Sequence, residues 1–191
     1  LRLARVLGAI HRRGIVHRGL QASNVIMDGE GHAWLLDLDL CPPGSSGTSA
    51  ENPKFFRDAV RYQAPEMAGM LQCPVDHRAD LYSLGVVLYY AATGQHPFEA
   101  EALSDLVRLH ASSSPTSIRS ARPDISPGFA QIVMALLSKD PEDRYQSGDA
   151  LAADLLRLEE INSVLADVGE VHGSDQSAGV LHRQGPVWEQ G

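Results

Sequence analysis

One short loop of this chain is built from residue types that do chemistry. His17-Arg18-Gly19-Leu20-Gln21-Ala22-Ser23-Asn24 places an imidazole, a guanidinium, two side-chain amides and a hydroxyl in consecutive positions. Apolar pieces flank it, Ile15-Val16 before and Val25-Ile26-Met27 after. A polar loop between apolar pieces is where catalytic groups are usually mounted. Yet its only acid-capable slot holds Gly19, which has no side chain to take or orient a proton.

The elements that must position this loop are legible on either side. Leu3, Val6, Leu7 and Ile10 recur at helical spacing and Gly14 ends the pattern, which predicts a helix with a glycine terminus. Residues 25–27 and 33–36 read as two strands, with Asp28-Gly29 as the hairpin turn. Residues 41–52 are rich in Pro, Gly, Ser and Thr and read as a loop. The connection from Asp37 to Glu66 is therefore expected to be long and poorly structured, and such loops are usually functional. Ala64-Pro65-Glu66-Met67-Ala68-Gly69 reads as a short helix opened by proline.

Residues 79–93 are apolar on nearly every face and stop at Gly94, so they should form a central, buried helix. Residues 99–110 are amphipathic. Ser126-Pro127 signals a helix start, with serine as cap and proline at the first position, and that helix should run to about Ser138. Ser147 opens another, with Ala150, Leu151, Leu155 and Leu158 as its apolar face. The later residues lose periodicity and become rich in Gly, Ser and Gln. We expect residues 1–160 to form the folded part and 161–191 a linker or disordered tail.

Bulk properties exclude several classes. The chain has 191 residues, 43% of them apolar, and a formal net charge of −8. No basic stripe offers itself to phosphates, so no nucleic-acid partner is expected. No run approaches the ~18 apolar residues of a membrane span, so no membrane partner is expected either. Cys41 and Cys73 form no Cys-x-x-Cys pair, and two free thiols fit a reducing, cytoplasmic location. The sequence opens at Leu1 inside a helical pattern, as a fragment of a longer protein would.

Taken in order, the motifs resemble the C-terminal lobe of eukaryotic-type serine/threonine protein kinases. That family carries His-Arg-Asp-Leu-x-x-x-Asn, Asp-Phe-Gly and Ala-Pro-Glu. Here stand "HRGLQASN", "DLD" at Asp37–Asp39 and "APE" at Ala64–Glu66. "DHRADLYSLGVVLYYAATGQHPF" is similar to the family's central helix, and "LLSKDPEDRYQS" to the segment that supplies a late buried arginine, Arg144. The stretch "KDPEDRYQSGDALAADL" also resembles large multidomain sensor kinases. The resemblance covers residues 1–160 and implies a mainly α fold with a small β hairpin. The N-terminal lobe of the family would be absent.

The resemblance also implies roles. Asn24 and Asp37 match the two ligands that hold Mg²⁺ on the ATP phosphates, and an amide oxygen and a carboxylate suit that hard cation. Read singly, Asn24 is a loop-capping amide and Asp37 a strand-end turn residue. Glu66 and Arg144 match a buried ion pair that ties the activation segment down. Asp80 matches the residue that accepts backbone N–H bonds from the catalytic loop. His17 would pack beneath the site with Leu38.

Three positions depart from the family pattern. Gly19 stands at the catalytic aspartate, Gln21 at the catalytic-loop lysine and Ala59 at a threonine that bonds to both. A positioned general base is worth about 10²–10⁴ in rate. Asp39 replaces the glycine of Asp-Phe-Gly, and residues 52–66 contain no Ser or Thr, so the usual activating phosphosite is missing. The expectation is a pseudokinase module that regulates or scaffolds a protein partner or neighbouring domains of its own chain, with ATP and Mg²⁺ binding weak or lost. The alternative is a working serine/threonine kinase once its N-terminal lobe is present.

Overall fold

The computed structural model describes residues 1–30, 32–36 and 53–174. These fall into two compact units, Leu1–Leu156 and Arg157–Gly191. The first unit is mostly helical with one two-stranded sheet, as the sequence led us to expect. It opens with α1 (Arg2–His11), whose Leu3, Ala4 and Leu7 face inward. Gly14 takes φ +72°, a left-handed conformation that suits glycine, and turns the chain out of the helix. Strands β1 (Val25–Met27) and β2 (Ala33–Leu35) pair antiparallel, with Ile26 opposite Trp34. The Asp28 carboxylate closes their turn by accepting from the Glu30 and His32 backbone N–H groups.

The long connection is more ordered than its composition suggested. A helix, α2 (Pro53–Val60), forms within it. Its last residue, Val60, is buried against Phe98 and Leu106. Tertiary burial of that end outweighs the weak local signal. The remainder of the connection, residues 37–52, lies outside the described residues, and with it Asp37, Leu38, Asp39 and Cys41. Residues 64–69 also differ from expectation, forming turns rather than a helix. The N–H groups of Met67 and Gly69 bond back to Ala64 and Glu66, and Gly69 at φ +70° ends the run.

The central helix is α3 (Arg78–Thr93), ended by Gly94 at φ +72°. It is buried from Ala79 through Val87, with Leu84 only 1% exposed, and surfaces in its last turn at Tyr90. Helix α4 (Leu103–Ser112), the short α5 (Ile118–Ala121) and α6 (Pro127–Leu136) follow. Ser126 caps α6 by accepting from the Phe129 N–H. Helix α7 (Gly148–Ser174) begins where Ser147 accepts from the Ala150 N–H. It continues past residue 160, where composition placed a linker, and makes up the described part of the second unit. Among the described residues no helix is long and apolar enough to cross a membrane.

Two contacts set how tightly these helices pack. A methyl group on Gly85 of α3 would lie 2.7 Å from Leu136 Cβ of α6. On α4, the fully buried His110 bonds the Tyr82 hydroxyl through Nδ1 at 2.9 Å and packs edge-on against Phe98. Burial, with Lys139 nearby, pushes the His110 imidazole down to about 4. Gly85→Ala should therefore destabilise the domain by about 1–3 kcal/mol through overpacking, read as a lower urea midpoint at unchanged slope. The His110 imidazole is neutral in the fold, while the unfolded chain takes a proton from about pH 6.5 downward. Its share of stability should thus be present above that pH and fall away progressively towards about pH 4. His110→Gln should flatten that part of the stability–pH curve, and an unchanged slope would refute the assignment.

Candidate functional site

The polar loop is fixed by groups from three directions. The Ile15 N–H bonds back to the Ile10 carbonyl at 3.1 Å, which brings the chain off α1. His17 follows and is completely buried. Its Nδ1 accepts from the Gly19 N–H at 3.3 Å. The ring proton therefore sits on Nε2, which donates to the Leu36 carbonyl at 3.2 Å. One imidazole so ties the loop to the hairpin.

Asp80, in the first turn of α3, supplies the second tie. Its side chain is 1% exposed. One oxygen accepts from the Arg18 N–H at 2.8 Å. The other accepts from the His17 N–H and from His11 Nε2, both at 2.8 Å. A carboxylate with three donors offsets much of its desolvation cost. Arg18 between them has φ +63°, the one non-glycine residue with positive φ among those described. That conformation costs of order 1–3 kcal/mol and persists where the surroundings over-determine it. The Arg18 N–H, held by Asp80, and the Gly19 N–H, held by His17 Nδ1, lie on either side of the Arg18 Cα and supply that constraint.

Asn24 supplies the third tie. Its Nδ2 donates to the Gly19 carbonyl at 2.9 Å. A carbonyl only accepts, so the amide orientation is settled and Oδ1 is left as an acceptor. Ser23 Oγ lies 3.4 Å from that oxygen. The Asn24 main chain closes a 3₁₀ turn with Gln21 and accepts from the Leu36 N–H at 2.8 Å. The structure thus gives Asn24 its loop-capping role and leaves an amide oxygen suited to a hard cation. Gln21 is buried at 8% exposure on extended backbone, and Ala59 is exposed on α2. Asp37, the other expected metal ligand, falls outside the described residues. Among the described residues no cluster of three or more His, Cys, Asp or Glu could hold a metal ion.

Beyond the loop, Glu66 and Arg144 meet in a bidentate pair at 2.6 and 2.9 Å. Both side chains are essentially inaccessible. The remaining guanidinium donors go to the carbonyls of Ser138, Arg78 and Lys139. All five N–H groups of Arg144 are therefore used, and the Tyr82 ring lies 4.9 Å from its centre. This pair joins the residues 64–69 turns to the start of α3 and the segment before α7.

Sequence reasoning missed one functional-looking feature. His11 reaches Asp80 although it is read simply as the end of α1. A helical spacing of Leu7 to His11 puts both on one face, which was the available signal.

The protein kinase domain profile matches residues 1–156. This chain belongs to the protein kinase domain family. It is 30% identical over 178 residues to histidine protein kinase 1 of Candida albicans, covering 89% of this chain and 7% of that protein. It is 32% identical over 157 residues to a probable serine/threonine-protein kinase PknB of Corynebacterium glutamicum, covering 80% of this chain and 24% of the relative. With serine/threonine-protein kinase pkn3 of Myxococcus xanthus the figures are 32% over 165 residues, 80% and 30%. The chain therefore spans less than a third of the length of each of these relatives.

In this kinase domain the Glu66–Arg144 pair is the anchor most open to test. Removing one partner of a buried pair costs about 3–5 kcal/mol, because the other charge is left stranded. Arg144→Ala should lower unfolding free energy by that order. Arg144→Lys should not restore it, since an ammonium cannot make the forked pair and the three carbonyl bonds together. Urea unfolding of the three proteins side by side checks both expectations.

Proposed function

We propose that this kinase domain is a pseudokinase, a module that regulates or scaffolds a protein partner or neighbouring domains of its own chain in the cytoplasm. The observation that carries this reading is Gly19. It sits in a loop whose frame is otherwise complete, held by His17, Asp80 and Asn24. The group missing from that frame is the one that would accept a proton from a substrate hydroxyl. Gln21 and Ala59, by the family resemblance, remove the cation and the hydroxyl that would have acted with it.

Nucleotide and Mg²⁺ binding is weak on this reading. Asn24, through its Oδ1, and Asp37 would hold the cation. When bound, Mg²⁺ supplies charge neutralisation on the phosphates. The residues of this chain then position the cation but offer no base. Leftover catalysis would rest on positioning alone, since proton abstraction needs a base within about 3 Å of the hydroxyl.

The test is phosphoryl transfer from ATP to a generic protein substrate by the intact natural protein, measured beside its Gly19→Asp variant. The unmodified protein should stay near background. Gly19→Asp should recover little by itself, because Gln21 and Ala59 are unchanged. Ordinary kinase turnover, about 1–100 s⁻¹, from the unmodified protein would establish an active kinase instead.

A further inference from the structure

We propose that α7 carries a coiled-coil seam through which copies of this chain associate. The first unit uses the start of this helix for itself, burying Leu151 and Ala152. A methyl group on Gly148 would lie 2.5 Å from the Ala4 carbonyl oxygen, so the helix start is pressed against α1. The Asp154 carboxylate accepts from the Tyr145 hydroxyl at 3.0 Å. That unit ends at Leu156, while the helix runs on to Ser174. Just past the boundary Ile161 is 56% exposed, and Glu159, Glu160, Asn162 and Ser163 around it are exposed as well.

The sequence of this continuation has a regular apolar spacing. Leu158, Ile161, Leu165 and Val168 follow one another at three, four and three residues. That alternation is the heptad repeat of a coiled-coil seam, with Leu158 and Leu165 at the a positions and Ile161 and Val168 at d. It is narrower than the stripe with which a helix faces a globular core. In the same register the preceding d position is Asp154, so the seam starts only where the first unit's own contacts stop. A continuation of this length, with Gly169 inside it, is marginal as an isolated helix in water, because nucleation is costly and glycine loses the most backbone entropy. A partner helix that covers the seam supplies the missing stabilisation.

The charge pattern selects the partner. The register sets Glu159 at b, Glu160 and Asp167 at c and Glu170 at f, all on the side away from the seam. The flanking e and g positions are Arg157, Asn162, Val164, Gly169 and Val171, with no carboxylate among them. Charged e and g residues are what direct a helix to an unlike partner. Here the choice rests on the apolar residues, and a seam of Leu, Ile, Leu and Val matches itself. Copies of a chain with a net charge of −8 repel one another, and this register keeps every acid of residues 157–171 out of the contact. Leucine at a with β-branched residues at d shifts parallel coiled coils from two strands towards three or four. The association brings several copies of the kinase domain together, whatever chemistry each performs at Gly19.

Sedimentation equilibrium of the whole chain tests this, with the mass followed as concentration is raised. The parent chain should move from monomer towards trimer or tetramer, and its far-ultraviolet helical signal should rise in step. Ile161→Asp puts a carboxylate into the seam and should weaken association by at least about tenfold. Ser163→Asp adds the same charge at an f position and should leave association unchanged. Because Ile161 is exposed, the kinase domain of both variants should keep the parent's urea midpoint at concentrations below association. Association of two or more copies that is lost in Ile161→Asp and kept in Ser163→Asp supports the proposal. A chain that stays monomeric at every concentration overturns it. So does association that Ile161→Asp leaves intact, or that the two variants weaken equally.

Discussion

The Asp80 carboxylate is the point on which the loop depends. Among the described residues it is the one group that reaches the end of α1, the backbone of His17 and the backbone of Arg18 together. It leaves α3 within the first turn, and α3 is the helix around which the first unit is packed. The loop is therefore referenced to the buried central helix. The left-handed Arg18 is held between the Arg18 N–H on Asp80 and the Gly19 N–H on His17 Nδ1. His17 and Asn24 then extend the same reference outward to the hairpin, through Leu36.

The elements that were legible in the sequence are those whose signal is local and strong. Helix α3 announces itself by apolar residues on every face and a terminal glycine. Helix α6 announces itself by Ser126-Pro127, whose cap bond is present. Helix α2 was not legible. Its support comes from Val60 meeting Phe98 and Leu106, residues 38 and 46 positions away in sequence, and no window reading contains that contact. The Ala64–Gly69 segment failed for the opposite reason. Its local composition favours a helix, while the buried Glu66 must present both oxygens to Arg144, 78 residues on.

The site shows the same division. The family motifs pointed to Asp80, Glu66 and Arg144, and the distances confirm these contacts. His11 on Asp80 was out of reach of motif reasoning, because the motif begins six residues later.

Which groups this domain keeps and which it lacks can be ranked by where their energy acts. Asp80, Glu66 and Arg144 are buried and bonded in the folded ground state, so losing any one strands its own partners at a cost comparable to a large part of a domain's 5–15 kcal/mol. A general base and its cation act differently. Their contribution is largest in the transition state of a reaction, and the resting fold gains little from them. Gly19 illustrates the point: its N–H and carbonyl still serve His17 and Asn24, and those bonds need no side chain at that position. Glycine at position 19 is thus compatible with an undisturbed loop. On the proposed reading, in which Gly19, Gln21 and Ala59 stand where the family has its base, cation and hydroxyl, the anchors are the groups the fold depends on and the three exchanged positions are ones it does not.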